Sequence, residues 1–210
     1  MTPHPTASPA SAPAHRLALQ GIGKRYDNGV VACSDVSLDV VPRSVHAIVG
    51  ENGAGKSTVL KMIYGLERPT AGAMWVDGRP HRPEGPAQAQ ALGVGLVPQH
   101  LQLLPSASVA ENVLLGCEPS GRFGQIDRRA AEERVRSLAG RFGLALDPQA
   151  RVGELAAGAQ QRVAILKALR QPVSLLLMDE PTALLAPHEA DALFASLLAL
   201  RDQGLSIVLV

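Results

Sequence analysis

Residues Gly50-Glu51-Asn52-Gly53-Ala54-Gly55-Lys56-Ser57-Thr58 fit the pattern G-x-x-x-x-G-K-[ST] at every fixed position, and no other stretch restricts the fold so tightly. The pattern functions only where it joins a strand to a helix. Val45 to Val49 reads as a short buried strand, and Thr58 to Tyr64 reads as the first turns of a helix. Gly53 and Gly55 let the backbone curl so that its N–H groups face inward on phosphate oxygens, and the new helix adds its partly positive N-terminus. Lys56 then supplies a full charge to β- and γ-phosphates, and the Ser57 hydroxyl is placed for Mg²⁺. A glycine-rich turn that binds nothing is the alternative, and it leaves two later motifs without a reason.

Composition limits what else the chain can do. With 46% apolar residues, 210 residues suffice for one α/β domain with an ordinary core. Twenty basic against 19 acidic side chains give a net charge of +1, which creates no field to gather nucleic acid or anionic lipid. Cys33 and Cys117 are far apart and lack companion ligands, so neither a zinc site nor a disulfide framework is indicated, and a reducing cytoplasm fits. No apolar run approaches the roughly 20 residues that cross a bilayer, so a membrane link would run through a partner protein. Residues 1–15, rich in Pro, Ala, Ser and Thr, read as a disordered leader, and 16–210 as the domain.

Leu17 to Ile22 and Val36 to Val41 suit a small antiparallel layer beside the phosphate loop. Between them Tyr26 stands in a polar loop, where its ring offers a platform for a base or simply packs on the surface. Ala73 to Val76 reads as a strand with Trp75 as core. Gly93 to Val97 is another strand, and Gln99 lies just past its end, where α/β sheets usually build their sites. Asp127 to Phe142 predicts a helix: Asp127 caps it, Ala131, Val135, Leu138 and Phe142 share a face, Glu132 stands four before Arg136, and Gly143 ends it. With Ser108 to Leu114 it forms a helical subregion.

Leu175-Leu176-Leu177-Met178 is an unbroken apolar run of the kind buried on both faces, and it ends in Asp179-Glu180. Two carboxylates at the tip of a buried strand are costly unless a cation or a proton transfer uses them. Asp179 suits the Mg²⁺ shell, and Glu180 suits a general base for water. Pro187 to Gln203 is the last helix, carrying Leu193, Leu197 and Leu200 on one face, with Gly204 as its stop. The sequence ends within the apolar strand that begins at Leu205, and the expectation is a truncated piece of a longer protein.

Leu155-Ala156-Ala157-Gly158-Ala159-Gln160, followed by Gln161-Arg162, resembles the L-S-G-G-Q signature of ABC transporter nucleotide-binding domains. Together with the phosphate loop and Asp179-Glu180, it makes nearly all of 17–210 similar to that family. The roughly hundred residues from phosphate loop to signature leave room for a compact helical subdomain and none for a long coiled-coil insertion. The resemblance implies an α/β P-loop NTPase with a mixed or parallel core sheet, a flanking antiparallel β layer and a helical signature subdomain at roughly 100–170. It further implies adenine stacking on Tyr26, phosphates on Gly50 to Thr58, and Mg²⁺ on Ser57, Gln99 and Asp179. Catalysis would fall to Lys56, Gln99 and Glu180, and residues Leu155 to Gln160 would face the ATP of a second such domain.

The runs Gly50 to Gly55, Gln160 to Leu169 and Glu180 to Leu185 resemble the branch that imports simple sugars and nucleosides, in which two such domains are commonly fused. The implied setting is the cytoplasmic face of the cell membrane, with permease subunits, a second ATPase domain and an external substrate-binding protein as partners, and no nucleic acid.

Two departures stand out. Ala156 replaces the signature serine, whose hydrogen bond to a γ-phosphate is worth about 1.5–3 kcal/mol, enough to slow that site by one or two decades. Gly158 keeps its N–H at the helix start. The histidine that follows the last strand in this family has no counterpart within these residues, so weak ATP binding and poor hydrolysis are expected of them alone. A soluble ABC protein acting on ribosomes or nucleic acid, and a scaffold that binds nucleotide without turnover, remain the competing readings. Co-purification with a permease separates the transporter subunit from both.

Overall fold

Two four-stranded sheets meet beside the phosphate loop in the computed structural model, which describes residues 15–121 and 125–210. Apart from His15, the expected leader lies outside the described residues. The first sheet is antiparallel and ordered β2-β1-β4-β5, from β1 (Leu17–Arg25), β2 (Val31–Val40), β4 (Ala71–Val76) and β5 (Arg79–Pro80). The second is parallel and ordered β3-β8-β7-β6, from β3 (Val45–Ala47), β6 (Val94–Val97), β7 (Leu175–Met178) and β8 (Ser206–Leu209). The helices are α1 (Lys56–Tyr64), α2 (Pro86–Ala91), α3 (Val109–Leu114), α4 (Arg128–Phe142), α5 (Ala157–Ala168) and α6 (Pro187–Asp202).

β7 explains the layering. All four of its side chains are fully buried, and they alternate between two cores because successive strand residues face opposite ways. Leu176 and Met178 join the core built by α3, α4, α5 and α6, with Val113, Val135, Ile165 and Leu197. Leu175 and Leu177 join the core of α1 and the antiparallel sheet, with Leu19, Leu60, Ile63 and Val76. Each such side chain contributes roughly 1.5–3 kcal/mol of apolar burial, an upper bound.

The local signals act as their chemistry dictates. Ser108 caps α3 reciprocally with Glu111: the Glu111 N–H donates to Ser108 Oγ at 3.1 Å, and the Ser108 N–H donates to Glu111 Oε2 at 2.8 Å. Asp127 caps α4 through the Ala130 N–H at 2.9 Å, and Gly143 ends it in the left-handed region at φ 67°. The i,i+4 pair expected from Glu132 and Arg136 does not form. Arg136 turns to Glu133 at 2.6 Å, and Glu132 accepts from Gln149 Nε2 at 2.7 Å, a tertiary partner outcompeting the local one.

Three further expectations need correction. β3 is the edge strand of its sheet, so it is not buried as expected, and it stops at Ala47. Val49 is 90% exposed where the chain peels away into the phosphate loop. α1 starts at Lys56 instead of Thr58, because Gly55 takes the left-handed N-cap conformation. Trp75 is only half-buried, since Met74 and Val76 occupy the core face of β4.

Candidate nucleotide site

Residues 50–54 are exposed, and the chain then dives into α1. Gly53 and Gly55 have φ +83° and +84°, and a Cβ on Gly55 would run into the Ala32 carbonyl oxygen of β2. The tight turn therefore presses the loop against the start of the antiparallel layer. The backbone N–H groups of Asn52, Gly53, Gly55, Lys56, Ser57 and Thr58 find no protein acceptor among the described residues. Such a ring of free donors at a helix N-terminus suits an anion. Lys56 Nζ arches back over the loop, donating to the carbonyls of Gly50 and Glu51, both at 2.9 Å, which holds its charge at the mouth of the ring.

Ser57 Oγ donates to Asp179 Oδ1 at 2.8 Å. Asp179 is only 8% exposed, and this hydroxyl is the sole hydrogen-bond partner of its carboxylate among the described residues. A buried carboxylate compensated by one neutral donor leaves room for a cation. No cluster of three or more His, Cys, Asp or Glu is placed to hold a metal among the described residues. Two hard oxygens beside an anion cradle suit Mg²⁺, which keeps waters and phosphate oxygens in the rest of its shell.

Glu180 has the strained left-handed φ of 46°. Its Oε2 accepts from Gln99 Nε2 at 2.6 Å. Strand register makes this pairing: Val97 of β6 lies opposite Met178 of β7, and Gln99 and Glu180 each follow two residues later. The Asp179 N–H donates to Val97 and the Glu180 N–H to Val210, so neighbouring strands grip the carboxylate dipeptide from both sides. No hydrogen bond or ion pair joins Glu180 to Lys56.

Tyr26 tops the β1–β2 hairpin, whose Lys24 pairs with Cys33 in register, next to the Gly55 contact. Its hydroxyl donates to Glu67 at 3.4 Å, Lys24 Nζ bonds Glu67 at 2.9 Å, and the same ammonium lies 5.0 Å from the Tyr26 ring centroid. The Lys24 ammonium, through hydrogen bond and charge, holds the Glu67 carboxyl below the usual range. Neither Lys24 nor Glu67 was marked by any sequence motif.

Leu155 to Gln160 lie apart from the loop, on the other core. Leu155 packs against the helical core, Ala156 is the N-cap of α5 without a side-chain cap bond, and Gly158 is buried. Gln160 Nε2 donates to the Leu155 carbonyl at 2.9 Å, bracing the turn. Gly158 N–H donates to Glu189 Oε1 of α6 at 3.0 Å, a contact that no local pattern announces.

A strand, a glycine loop and a helix converging with a serine and a buried aspartate define a nucleotide-binding P-loop fold. A family profile described as ABC transporter matches residues 33–183, and the chain belongs to that family. It is 44% identical over 194 residues to the ribose import ATP-binding protein RbsA 3 of Rubrobacter xylanophilus, covering 92% of this chain and 39% of that one. It is 41% identical over 180 residues to the guanosine import ATP-binding protein NupO of Bacillus subtilis, covering 86% and 35%. The chain thus spans under two fifths of these relatives' lengths. Among solved structures it is similar to the ADP conformation of an ATP-binding cassette of an ABC transporter, with a TM-score of 0.81 and 26% identity over 93% of this chain and 80% of the other.

Proposed function

We propose that this chain is an ATP-binding, ATP-hydrolysing unit that powers an ABC importer for simple sugars or nucleosides, paired with a second ATPase domain and seated on a membrane permease at its cytoplasmic face. The observation that carries the reading is the Ser57–Asp179 bond beside a ring of unpaired amides. The names of relatives that import ribose and guanosine support the cargo class.

In this reading Tyr26 stacks the adenine, Gly50 to Thr58 and Lys56 bind the phosphates, and Ser57 and Asp179 hold Mg²⁺, which neutralises charge on the phosphate oxygens when bound. Gln99 anchors Glu180 Oε2 and leaves Oε1 open to a water. Glu180 takes that water's proton as its oxygen bonds the γ-phosphorus, and the bond to the β–γ bridging oxygen breaks, giving ADP and phosphate. The signature, Leu155 to Gln160, is offered to the second domain's ATP. Beside Pro98 a cleft lined by Leu66, Leu96, Leu101 and Val173 together with Lys167 and Arg170 offers the permease both apolar and basic side chains. Among the described residues no helix is long and apolar enough to cross a membrane.

The test is ATP hydrolysis by the full-length protein with its permease in vesicles, with ribose and guanosine offered as cargo. Turnover stimulated by one of them and abolished by Lys56→Ala is expected. Binding of RNA or ribosomes in place of a permease would end the importer reading.

A further inference from the structure

Helices α5 and α6 both begin on alanine, Ala156 and Ala186, in the position where Ser, Thr, Asp or Asn normally satisfies the first free N–H groups. One carboxylate serves both helix starts. Glu189 Oε1 accepts from the Gly158 N–H at 3.0 Å, and Glu189 Oε2 accepts from the Ala186 N–H at 3.1 Å. The bonds from Ala186 and Gly158, with His188 and Arg162 nearby, hold the Glu189 carboxyl below its ordinary range, so it is ionised at neutral pH. It lies over a buried glycine: a Cβ on Gly158 would come within 3.0 Å of Oε1 and 3.4 Å of the Glu189 Cβ.

We propose that Glu189 is a positioning residue that latches the signature, its carboxylate occupying the Gly158 amide until the γ-phosphate of the partner domain's ATP displaces it. The inference rests on the two-domain reading above, in which Gly158 is the remaining donor once Ala156 has removed the hydroxyl. Two anions cannot share one N–H, and their charges repel at that distance. Rotation about the last side-chain bonds frees Gly158 while Oε2 keeps its hold on Ala186, so the latch opens without unravelling α6. ADP lacks the displacing group. The latch therefore makes closure depend on the third phosphate, and it ties the signature to the segment that follows Glu180.

The experiment uses the full-length protein with its partner subunits. Glu189→Gln retains one acceptor oxygen for Ala186 and has none left for Gly158. Glu189→Asp keeps the charge but is one methylene too short to span both amides. In both variants the half-saturating ATP concentration for hydrolysis should fall about tenfold, the scale of one hydrogen bond to a charged group, while inhibition by ADP stays within about twofold. Thermal unfolding identifies a variant that misfolds, and the other then carries the test. An unchanged or raised half-saturation in a folded variant, or an equal shift for ADP, overturns the latch. Turnover that survives Lys56→Ala sinks the parent reading instead, and the latch with it.

Discussion

Ser57 and Asp179 are 122 residues apart in sequence, and their side chains meet at 2.8 Å, hydroxyl to carboxylate. If this pair holds Mg²⁺, charge and geometry separate cleanly. Asp179→Asn keeps an acceptor for the Ser57 hydroxyl and removes the charge, whereas Ser57→Ala keeps the charge and removes a ligand. Each should lower hydrolysis at least ~100-fold in the full-length protein. Nucleotide binding measured in EDTA should be unchanged, while the gain in affinity on adding Mg²⁺ should disappear.

Gln99 and Glu180 should divide by role. If Glu180 is the base, Glu180→Gln should lower turnover by about 10²–10⁴-fold with ATP still bound, measured as retained nucleotide after gel filtration. Gln99→Ala frees the carboxylate from its 2.6 Å anchor without removing it, so a loss of about tenfold with unchanged nucleotide affinity is expected. Equal losses in both would contradict the assignment.

Gly53 and Gly55 share a left-handed backbone and differ in surroundings. An added Cβ meets nothing within 4 Å at Gly53, but at Gly55 it meets the backbone of Ala32 and, at 3.1 Å, the Cβ of Cys33. Gly53→Ala should cost about 1–2 kcal/mol from backbone strain alone. Gly55→Ala should cost more and abolish nucleotide binding, because β2 cannot move without unpairing from β1. Urea unfolding with and without nucleotide distinguishes them.

His81 is fully buried beside α1, with Nε2 2.6 Å from the Ile63 carbonyl and Nδ1 unpartnered among the described residues. Burial, only partly offset by that bond, pushes its pKa below the ordinary 6.5. The folded state thus binds this proton less readily than the unfolded chain does. Stability is fully present above about pH 6.5 and declines as pH falls toward the folded pKa, by up to about 1.4 kcal/mol per pH unit. In His81→Gln, where an amide N–H can still reach Ile63, the urea midpoint should lose this part of its slope between pH 7.5 and 5.5.

Much of the site was legible because its chemistry is local. The loop needs its glycines and lysine within nine consecutive residues, and β7 needs four apolar residues followed by the carboxylates. Edge and centre were not legible: β3 and β7 both read as buried strands, and only the order β3-β8-β7-β6 exposes the first and encloses the second. Glu189 was missed because a carboxylate at the third helical position signals a cap only when a hydroxyl precedes it, and here Ala186 does.

By itself, then, the sequence determined which residues could curl around a phosphate and where the helices at Ser108, Asp127 and Pro187 start and stop, since these depend on backbone freedom, capping and hydrophobic period over a few residues. The tertiary structure alone decided that Ser57 touches Asp179, that Gln99 anchors Glu180 and that Glu189 covers Gly158. Each contact joins segments brought together by sheet order, register or helix packing, and those are set by filling two cores at once, not by any stretch of neighbouring residues.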